Sequence, residues 1–495
     1  MKRVRYVNIF LLILLFATLL FEMWGCGSGS PVAPVQSEYD PQGLLNAFFD
    51  RNLRQIIFEQ LISVDNNGTR NADSIDCITR DDLEQITYID ASSRKIMSLQ
   101  GIHKCPNLQY LNISSNPVTD LSPLVCLKKL TDLNIRKCQV TNLSPLTSLS
   151  TLETLNAEQN RISDISVLAN LGELKNLRLA LNEIRDISAL AQTKKLEFVY
   201  LRFNSIMDIA ALENCPDIRF LDVNVNKIEN LPNLAVFTQL TEIQACQNRI
   251  STVSDITNLE HLERIYLDEN QITDVSSISN LPALKQLSLS YNEIASLTDI
   301  SNLPNLEHLN LYSNELTDVS FISEMPMIKM LWLGDNQLGD NIAALHYLYN
   351  LEYIDLRGNN VTDVSFLAHL TNLINIDIGG NYLPDFDLPA TLSNLEILQL
   401  SSTHIKDISI ITRFPKLIYL DLSSNGLSNI DPVRELSKLN YLDLSSNGIV
   451  DLLPIMECQG MRNPSTLNII HNPLSTTAKN EQIPILQGRG VYVNY

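Results

Sequence analysis

The sequence predicts an α/β solenoid, a right-handed curved array of short parallel strands with a helical cap at its N-terminus and a second cap at its C-terminus. Three observations predict it. One pattern of aliphatic residues recurs about every 22 residues, an asparagine recurs at a fixed phase of that pattern, and hydrophobic residues make up 45% of the chain while aromatic residues make up only 6%. Repeats of this period indicate stacked units that share one core.

The repeat begins at Ile86 and follows the template L-x-x-L-x-L-x-x-N-x-I-x-x-I-x-x-L. Arg94, Cys138 and Thr403 fill the asparagine position in three turns, so residues 86–472 form 18 turns. The step is 22 residues almost throughout, with longer steps before Asn359 and Asn472. The asparagines at this position, called the ladder positions below, are Asn116, Asn160, Asn182, Asn204, Asn226, Asn248, Asn270, Asn292, Asn314, Asn336, Asn359, Asn381, Asn425, Asn447 and Asn472.

The segment L-x-L predicts one short strand in each turn, because residues two apart point to the same side of an extended chain. Leu309 and Leu311 are expected inside, and Tyr312 is expected outside. A single strand cannot bury enough surface, but stacked strands form a continuous parallel sheet with one buried side. The ladder amide both donates and accepts hydrogen bonds, so we expect it to satisfy backbone groups where the chain leaves the strand.

An aspartate often stands four residues after the ladder position. Aspartates in such a row could be read as metal ligands, but a carboxylate before a short Ser-containing segment is typical of a cap on a helical turn, and the further ligands that a metal needs are missing. The sequence therefore predicts capping aspartates at Asp120, Asp164, Asp186, Asp208, Asp274, Asp318, Asp340, Asp363, Asp385, Asp407 and Asp451.

Both ends of the array need polar caps over their last apolar layers. Residues 41–85 form the predicted N-terminal cap, with helical periodicity over 41–60 and the capped start of a second helix over 78–83. Residues 473–495 form the predicted C-terminal cap, a helix that Pro484 is expected to break and a last edge strand over 491–493.

Residues 1–25 resemble a signal peptide, since Lys2, Arg3 and Arg5 precede an apolar run at 9–21 that is short for a membrane span. The sequence around Gly25 and Cys26 resembles the cleavage box of a bacterial lipoprotein, which implies lipidation of Cys26. An uncleaved anchor and an ordinary cleaved signal are the alternatives. Residues 26–40 are rich in Gly, Ser and Pro and predict a flexible tether.

The eight cysteines do not form an evident disulfide framework. Cys105, Cys215 and Cys458 occupy a position that is aliphatic in other turns, so they are predicted core residues. Cys246 is placed on a strand. A bridge between Cys77 and Cys105 stays open as a possibility.

The net charge of −20 and the pI near 4.7 predict no binding to nucleic acid, and membrane contact only through the lipid anchor, because a polyanion repels both surfaces. They favour a protein ligand with basic patches. The sequence contains no recognisable catalytic motif, phosphate loop or Cys-His cluster, so we expect no enzyme activity, no cofactor and no metal site. The chain is expected to be monomeric.

The template over residues 306–322, with Leu309, Leu311 and Asn314, resembles the internalin-type class of bacterial leucine-rich repeats. Residues 49–56 and 96–102 are similar to the N-terminal region of that family, and the resemblance covers about residues 44–495. It implies a binding protein that holds its partner on the concave sheet, as receptors or adhesins do.

Aromatic and arginine side chains at outward strand positions mark the predicted partner-binding patch, because such side chains supply most of the binding energy in protein interfaces. They concentrate in the middle of the array, whereas early and late turns carry mainly small polar groups. The alternative is that Tyr-x-Asp belongs to the repeat template and marks no binding site, since it also occurs at 419–421 and 441–443. The patch consists of Phe198, Tyr200, Arg202, Phe220, Arg264, Tyr266, Asp268, His308, Tyr312, Met330, Trp332, Tyr353, Asp355 and Arg357.

Taken together, these patterns predict an exported leucine-rich-repeat protein, lipid-anchored at Cys26 on a bacterial cell envelope or surface, or otherwise secreted, that binds a protein ligand. A glycan-binding surface protein is the first alternative, since tryptophan and tyrosine beside aspartate and asparagine also suit sugar stacking. An internal scaffold similar to the phosphatase-regulating proteins with 22-residue repeats is the second, and the export signal speaks against it.

Overall fold

The computed structural model describes residues 47–64, 79–253, 256, 259–297, 300–462 and 464–495. Their dominant feature is one parallel sheet of 19 strands. The strands are β1 (Tyr88–Asp90), β2 (Tyr110–Asn112), β3 (Asp132–Asn134), β4 (Thr154–Asn156), β5 (Asn176–Arg178), β6 (Phe198–Tyr200), β7 (Phe220–Asp222), β8 (Glu242–Gln244), β9 (Arg264–Tyr266), β10 (Gln286–Ser288), β11 (His308–Asn310), β12 (Met330–Trp332), β13 (Tyr353–Asp355), β14 (Asn375–Asp377), β15 (Ile397–Gln399), β16 (Tyr419–Asp421), β17 (Tyr441–Asp443), β18 (Ser465–Asn468) and β19 (Val491–Asn494).

Each strand pairs in parallel with the next strand along the chain, so the order in the sheet is the order in the sequence. Most pairs keep the predicted 22-residue register, as Tyr88 does opposite Tyr110. The longer steps also fall where the sequence places them, with Met330 opposite Tyr353 and Tyr441 opposite Thr466. This arrangement confirms the predicted solenoid.

Off the sheet, most turns contain a short 3₁₀ helix. Nine of the capping aspartates accept a backbone hydrogen bond from the residue two positions later at 2.7–2.9 Å, as Asp164 does from Ser166 and Asp186 from Ser188. The 3₁₀ segments are Ile102–Lys104, Ser122–Cys126, Ser144–Ser148, Ser166–Asn170, Ser188–Gln192, Ala210–Asn214, Leu234–Val236, Ser320–Glu324, Ala343–Tyr347, Ser365–His369, Ser409–Arg413 and Asp431–Glu435.

Two of the predicted caps are wrong. Asp340 accepts the backbone N–H of Thr362 at 2.7 Å and its hydroxyl at 2.6 Å, so its carboxylate ties its own turn to the next one. The extra residue in this turn moves the carboxylate away from the helical start at Ala343. Asp385 lies in a turn where the described chain forms no helix between β14 and β15.

The ladder asparagines confirm their predicted role. The Asn116 amide donates to the carbonyls of Ala91, in the preceding turn, and of Ile113, both at 2.8 Å. Its oxygen accepts the N–H groups of Arg94 at 3.0 Å and of Ile96 at 2.9 Å. One side chain therefore satisfies backbone groups of two consecutive turns.

Cys138 and Thr403 replace this function only in part. The Cys138 thiol donates to the carbonyl of Ile113 at 3.1 Å, and the Thr403 hydroxyl donates to that of Leu400 at 2.9 Å. Neither side chain offers the acceptor oxygen of an amide, so the N–H of Leu383 bonds to the backbone carbonyl of Thr403 instead.

The core consists of stacked aliphatic layers behind the sheet. Leu309 and Leu311 are fully buried, as predicted, and so are the corresponding residues of neighbouring turns. Cys105, Cys215 and Cys458 are buried in the core as predicted. Cys246 is also buried, but it lies two residues beyond the end of β8 and not on the strand.

The N-terminal cap contains α1 (Arg51–Val64) and α2 (Arg80–Glu84). Residues 41–46 of the predicted helix lie outside the described residues, and α1 begins at Arg51, where Asp50 accepts the N–H of Asn52 at 2.9 Å. The other Asp50 oxygen accepts the N–H of Met97 at 2.7 Å, which ties the cap to the first turn. Gly101 has a φ of 101°, and a Cβ there would lie 2.5 Å from the Ala47 carbonyl oxygen, so only glycine permits this contact.

The C-terminal end contains α3 (Leu453–Glu457), a π-helical turn (Ala478–Gln482) and α4 (Ile483–Gly488), before the edge strand β19. The prediction that Pro484 breaks the helix is wrong. Pro484 lies in the first turn of α4, directly after the wider π turn, where its ring and its missing N–H are tolerated.

The predicted signal peptide, the tether, Cys26 and Cys77 lie outside the described residues. Cys105 is a buried thiol. Within the described chain we find no helix with the length and apolar character that a membrane span requires.

Loss of one ladder amide should weaken the array strongly. Asn292→Ala removes donations to Leu267 and Leu289 and the acceptor for Ile272, and leaves these buried backbone groups unpaired. We expect a loss of about 2–4 kcal/mol in the free energy of unfolding, measured by urea denaturation.

Asn394→Ala is the matched control, because this partly buried asparagine off the sheet donates one long hydrogen bond, at 3.3 Å to Thr371, and accepts one from the exposed side chain of Lys416 at 2.8 Å. It should cost less than about 1 kcal/mol. Equal losses in the two variants would contradict the proposed role of the ladder.

Candidate functional site

The outward-facing side of the sheet, which we call the open face, presents three rows of side chains. These are the first and third residues of each strand and the residue two positions after the strand, as His308, Asn310 and Tyr312 show for β11. Parallel strands lie about 4.8 Å apart, so each side chain has its counterpart in the next turn as a neighbour. The structure places every predicted patch residue in one of these rows.

The first group of patch residues lies on β6 and β7. The rings of Tyr200 and Phe220 are in contact at a centroid distance of 4.8 Å, and the Arg178 guanidinium lies 4.3 Å from the centre of the Tyr200 ring. Phe198 is 37% exposed. Arg202 lies 3.8 Å from the buried carboxylate of Asp222. This group combines exposed aromatic surface with a cation.

The second group, on β9, is mostly occupied by contacts within the protein. Arg264 pairs with Glu242 at 2.5 Å, and the Tyr266 hydroxyl donates to Gln286 at 2.5 Å. Asp268 is buried and accepts hydrogen bonds from the hydroxyls of Ser288 and Ser290. The Asp268 carboxylate therefore organises its own neighbours and presents no free oxygen surface to a partner.

The third group lies on β11 to β13. The ring centroids of Trp332 and Tyr353 are 4.9 Å apart. Met330 and His308 lie in the same rows of side chains and are partly buried. Tyr312 contacts the Tyr291 ring at 5.3 Å, and its hydroxyl donates to Asp335. Trp332, Tyr353 and Tyr312 thus place three aromatic side chains on the open face within three consecutive turns.

Arg357 contacts two carboxylates beside this aromatic area. Its guanidinium contacts Asp355 through two nitrogens, at 2.8 and 3.0 Å, and lies 3.2 Å from Asp377 in the next turn. It also lies 5.3 Å from the centre of the Tyr312 ring. Asp355 and Asp377 are almost completely buried under it.

Burial changes the ionisation of the carboxylates in this row. It raises the pKa of Asp222 to about 6, although Arg202 opposes the shift. Burial and the negative charge of Asp355 raise the pKa of Asp377 to about 7. The open face therefore contains carboxyl groups that change their charge in the physiological pH range.

The structure therefore divides the predicted patch into three groups of side chains, on β6 and β7, on β9, and on β11 to β13. Strands β8 and β10 separate these groups. Glu242 and Ser288 in these strands are buried, and Gln286 is bonded to Tyr266. Aromatic contact area is available in the first and third groups, about four strand steps, or roughly 20 Å, apart.

The sequence interpretation missed aromatic pairs at both ends of the sheet. Tyr88 and Tyr110 are stacked at 4.4 Å on β1 and β2, and Tyr419 and Tyr441 are stacked at 4.2 Å on β16 and β17. Tyrosine in the first strand position of two consecutive turns is the signal that predicts such a pair. These pairs are exceptions in turns whose other outward positions are mainly small and polar, such as Ser114, Ser423 and Ser445.

The buried thiols Cys105, Cys138 and Cys215 and the imidazole of His308 offer little reactivity. Burial raises the pKa of Cys105 to about 12 and those of Cys138 and Cys215 to about 11, so these thiols stay protonated. Burial also lowers the pKa of His308, which is therefore neutral at pH 7.

A groove of about 600 Å³ lies off the sheet, between the turns after β13 and β14. Tyr382 and Phe386 line it, and several of its polar groups are already used by the fold. Asp363 caps the helical turn at Ser365, and Asp387 pairs with Arg413 at 2.9 Å. The open face remains the better candidate site.

Family models of leucine-rich repeats match this chain at 106–148, 282–324, 349–390 and 393–435, and a second leucine-rich-repeat model matches 238–294. Together with the stacked parallel strands and the asparagine ladder, these matches define a leucine-rich-repeat protein.

Among solved structures, an internalin (InlF) from Listeria monocytogenes is similar to this chain with 32% identity and a TM-score of 0.62, over 67% of this chain and 96% of the internalin. The chain therefore belongs to the internalin-type leucine-rich-repeat proteins.

Two further solved structures share the fold. A plant peptide hormone receptor, RGFR1 in complex with RGF2, has 22% identity and a TM-score of 0.65, over 80% of this chain and 69% of the receptor. A TLR13–ssRNA13 complex has 21% identity and a TM-score of 0.56, over 79% and 65%. No curated protein sequence matches significantly.

The raised pKa of Asp222 predicts a pH dependence of stability. The unfolded carboxyl titrates near pH 3.9, so between about pH 4 and pH 6 the folded state binds more protons than the unfolded state. Wild-type stability should therefore fall relative to Asp222→Asn as the pH rises through this window, by up to about 3 kcal/mol. Urea denaturation of both proteins between pH 4 and pH 7 measures the difference, and parallel profiles would contradict the shift.

Proposed function

We propose that this protein is exported, tethered to the bacterial surface by a lipid on Cys26, and binds a protein ligand on the open face without catalysing a reaction. The observation that carries the proposal is the partly exposed aromatic surface around Trp332 and Tyr353, with the Phe198, Tyr200 and Phe220 group as a second contact area. Aromatic side chains on a rigid sheet lose little conformational entropy on binding, which favours an interface.

Several observations support a binding role without catalysis. The described thiols with shifted pKa are protonated and buried, and His308 has no carboxylate within salt-bridge distance among the described residues. The plant receptor with this fold was solved with a peptide ligand, whereas the TLR13 complex contains RNA. The net charge of −20 favours a protein ligand with basic patches over a nucleic acid. We further propose that the chain acts as a monomer.

Removal of the largest open-face side chain should reduce partner binding. We expect Trp332→Ala to lower the amount of captured ligand at least tenfold, because a buried interface tryptophan typically contributes 2 kcal/mol or more. Tyr266→Ala should have a smaller effect, since its hydroxyl is engaged with Gln286. Quantitative affinity capture with the purified protein measures both.

Tyr349→Ala serves as the control, since this tyrosine is 57% exposed but lies off the sheet, after the helical turn Ala343–Tyr347. It should capture as much ligand as the wild type. If all three variants capture the same ligands as the wild type in equal amounts, the proposed contact surface is wrong.

A glycan ligand is the alternative that a specific observation favours. Trp332 and Tyr353 form a tilted aromatic pair, and such rings also stack on sugar faces. A glycan array probed with the wild type and with Trp332→Ala separates the two ligand classes. Specific glycan binding that is lost in the variant would replace the protein ligand in this proposal.

Lipidation of Cys26 is tested independently of the ligand. Cys26→Ser removes the thiol that would carry the lipid, so we expect loss of palmitate labelling and release of most of the protein from the membrane fraction. Metabolic labelling and fractionation of the expressing cells measure both effects.

Cys126→Ser is the matched control, because Cys126 is an exposed thiol in the repeat array. It should leave labelling and fractionation unchanged. Membrane association that persists in Cys26→Ser would argue for an uncleaved anchor instead.

A further inference from the structure

The open face repeats one arrangement of carboxylates in two places. Asp355 lies opposite Asp377 on β13 and β14, and Asp421 lies opposite Asp443 on β16 and β17. Both pairs stand at the third strand position of consecutive turns, so their carboxylates lie about one strand spacing apart. The two sites differ in the cation that accompanies them.

At the first pair the protein supplies its own cation. Arg357, two residues after Asp355, lies across both carboxylates, at 2.8 Å from Asp355 and 3.2 Å from Asp377. Its guanidinium covers them, and their exposed fractions fall to 0% and 4%. The open face is therefore shaped to hold a guanidinium between two such aspartates.

At the second pair the corresponding position is Ser423, and in the next turn Ser445. Asp421 accepts the N–H of Ser423 at 2.9 Å, and Asp443 accepts hydrogen bonds from Ser445 and Asn468. In the part of the chain that the structure describes, no Lys or Arg forms a salt bridge with either carboxylate. Both aspartates are only partly buried, unlike Asp355 and Asp377.

The surroundings of this second pair also suit a cation. The Tyr419 and Tyr441 rings are stacked one residue row away, and their planes differ by only 1°. Tyrosine rings attract cations electrostatically, as the contact between Arg357 and Tyr312 illustrates within this chain. The positions beside the carboxylates in three consecutive turns are small, namely Ser401, Ser423 and Ser445, so space is available above them.

Burial and the nearby charge of Asp443 raise the pKa of Asp421. An arriving guanidinium would lower the repulsion between the two carboxylates and form charge-assisted hydrogen bonds with both. Such a contact is complementary to a protein ligand with basic side chains.

We propose that Asp421, Asp443 and the stacked tyrosines Tyr419 and Tyr441 form a docking site for an arginine side chain of the protein ligand, in the place that Arg357 occupies at the corresponding pair. The site rests on the proposed function, because it treats the open face as the ligand surface. It adds a second contact area to the aromatic groups on β6 to β13 and names the chemistry of the side chain that it takes.

The test uses the peptide acetyl-Arg-Arg-Arg-Arg-amide and its citrulline analogue, titrated calorimetrically into the purified protein at low ionic strength. The wild type should bind the arginine peptide at least tenfold more tightly than the neutral analogue. Asp421→Asn together with Asp443→Asn should reduce the affinity for the arginine peptide at least tenfold.

Two further variants make the result specific. Asp407→Asn together with Asp431→Asn removes the same charge from exposed positions off the sheet in these turns, and should change the affinity less than twofold. Ser423→Arg places an internal guanidinium where Arg357 stands in its own turn, and should block peptide binding while the unfolding midpoint stays at or above the wild-type value.

Equal losses in both double variants would show general attraction to a polyanion and would overturn the docking site. Unchanged binding by Ser423→Arg, with this variant folded, would also overturn it. The titration needs no native partner. If it shows no arginine-specific binding while Trp332→Ala still reduces ligand capture, only this docking site is overturned. If the titration is positive but Trp332→Ala captures as much ligand as the wild type, the aromatic contact surface is overturned instead.

Discussion

The hydrogen bonds of one amide side chain, repeated once per turn, fix the geometry on which the rest of the structure depends. A ladder asparagine such as Asn314 donates to Leu289 in the preceding turn and to Leu311 in its own, and accepts the N–H of Ile294. Because these partners belong to two turns, the amide sets both the path of the chain after the strand and the register between strands. The extra residue of the 23-residue step before Asn359 is accommodated off the sheet, because the Asn359 amide still donates to the carbonyl of Leu333 in the preceding turn.

The same constraint forces an unusual backbone conformation in every turn. The residue before the ladder position adopts a left-handed conformation, with φ near 55°, even where it is Leu181, Phe203 or Val225. This conformation costs about 1 kcal/mol or more for a residue with a β-carbon. Its N–H is bonded to the next turn, as Leu181 is to Arg202 at 2.9 Å, so cooperative stacking offsets the strain. An isolated turn would lack these bonds.

The fold could be predicted almost completely from the sequence, because the template specifies the strand, the ladder and the core in each turn independently. The exceptions involve contacts between turns. Asp340 fits the capping pattern but bonds to Thr362 in the following turn, and Pro484 fits a helix break but follows a π turn that accommodates it. The residues of a single repeat indicate neither the bond from Asp340 to the following turn nor the π turn before Pro484.

The candidate site was less predictable for the same reason. The sequence identifies which side chains face outward, and the structure places all of them on the open face. The sequence does not reveal that Asp268 accepts hydrogen bonds from Ser288 and Ser290, or that Arg357 contacts two carboxylates of its own chain. Such pairings depend on side-chain conformations across neighbouring strands, which the register alone leaves undetermined.

A rigid sheet with fixed rows has a consequence for the size of its ligand. Where an arginine and an aspartate meet in adjacent rows, as Arg202 and Asp222 do, they satisfy each other, and the surface left for a partner is chiefly aromatic. Where the arginine is missing, as beside Asp421, the surface left is acidic. The aromatic groups begin on β6 and the acidic pair ends on β17, a span of roughly 50 Å at the spacing of parallel strands. A ligand that contacts both must therefore be an extended chain or a whole folded domain, because no compact small molecule reaches across eleven strand steps.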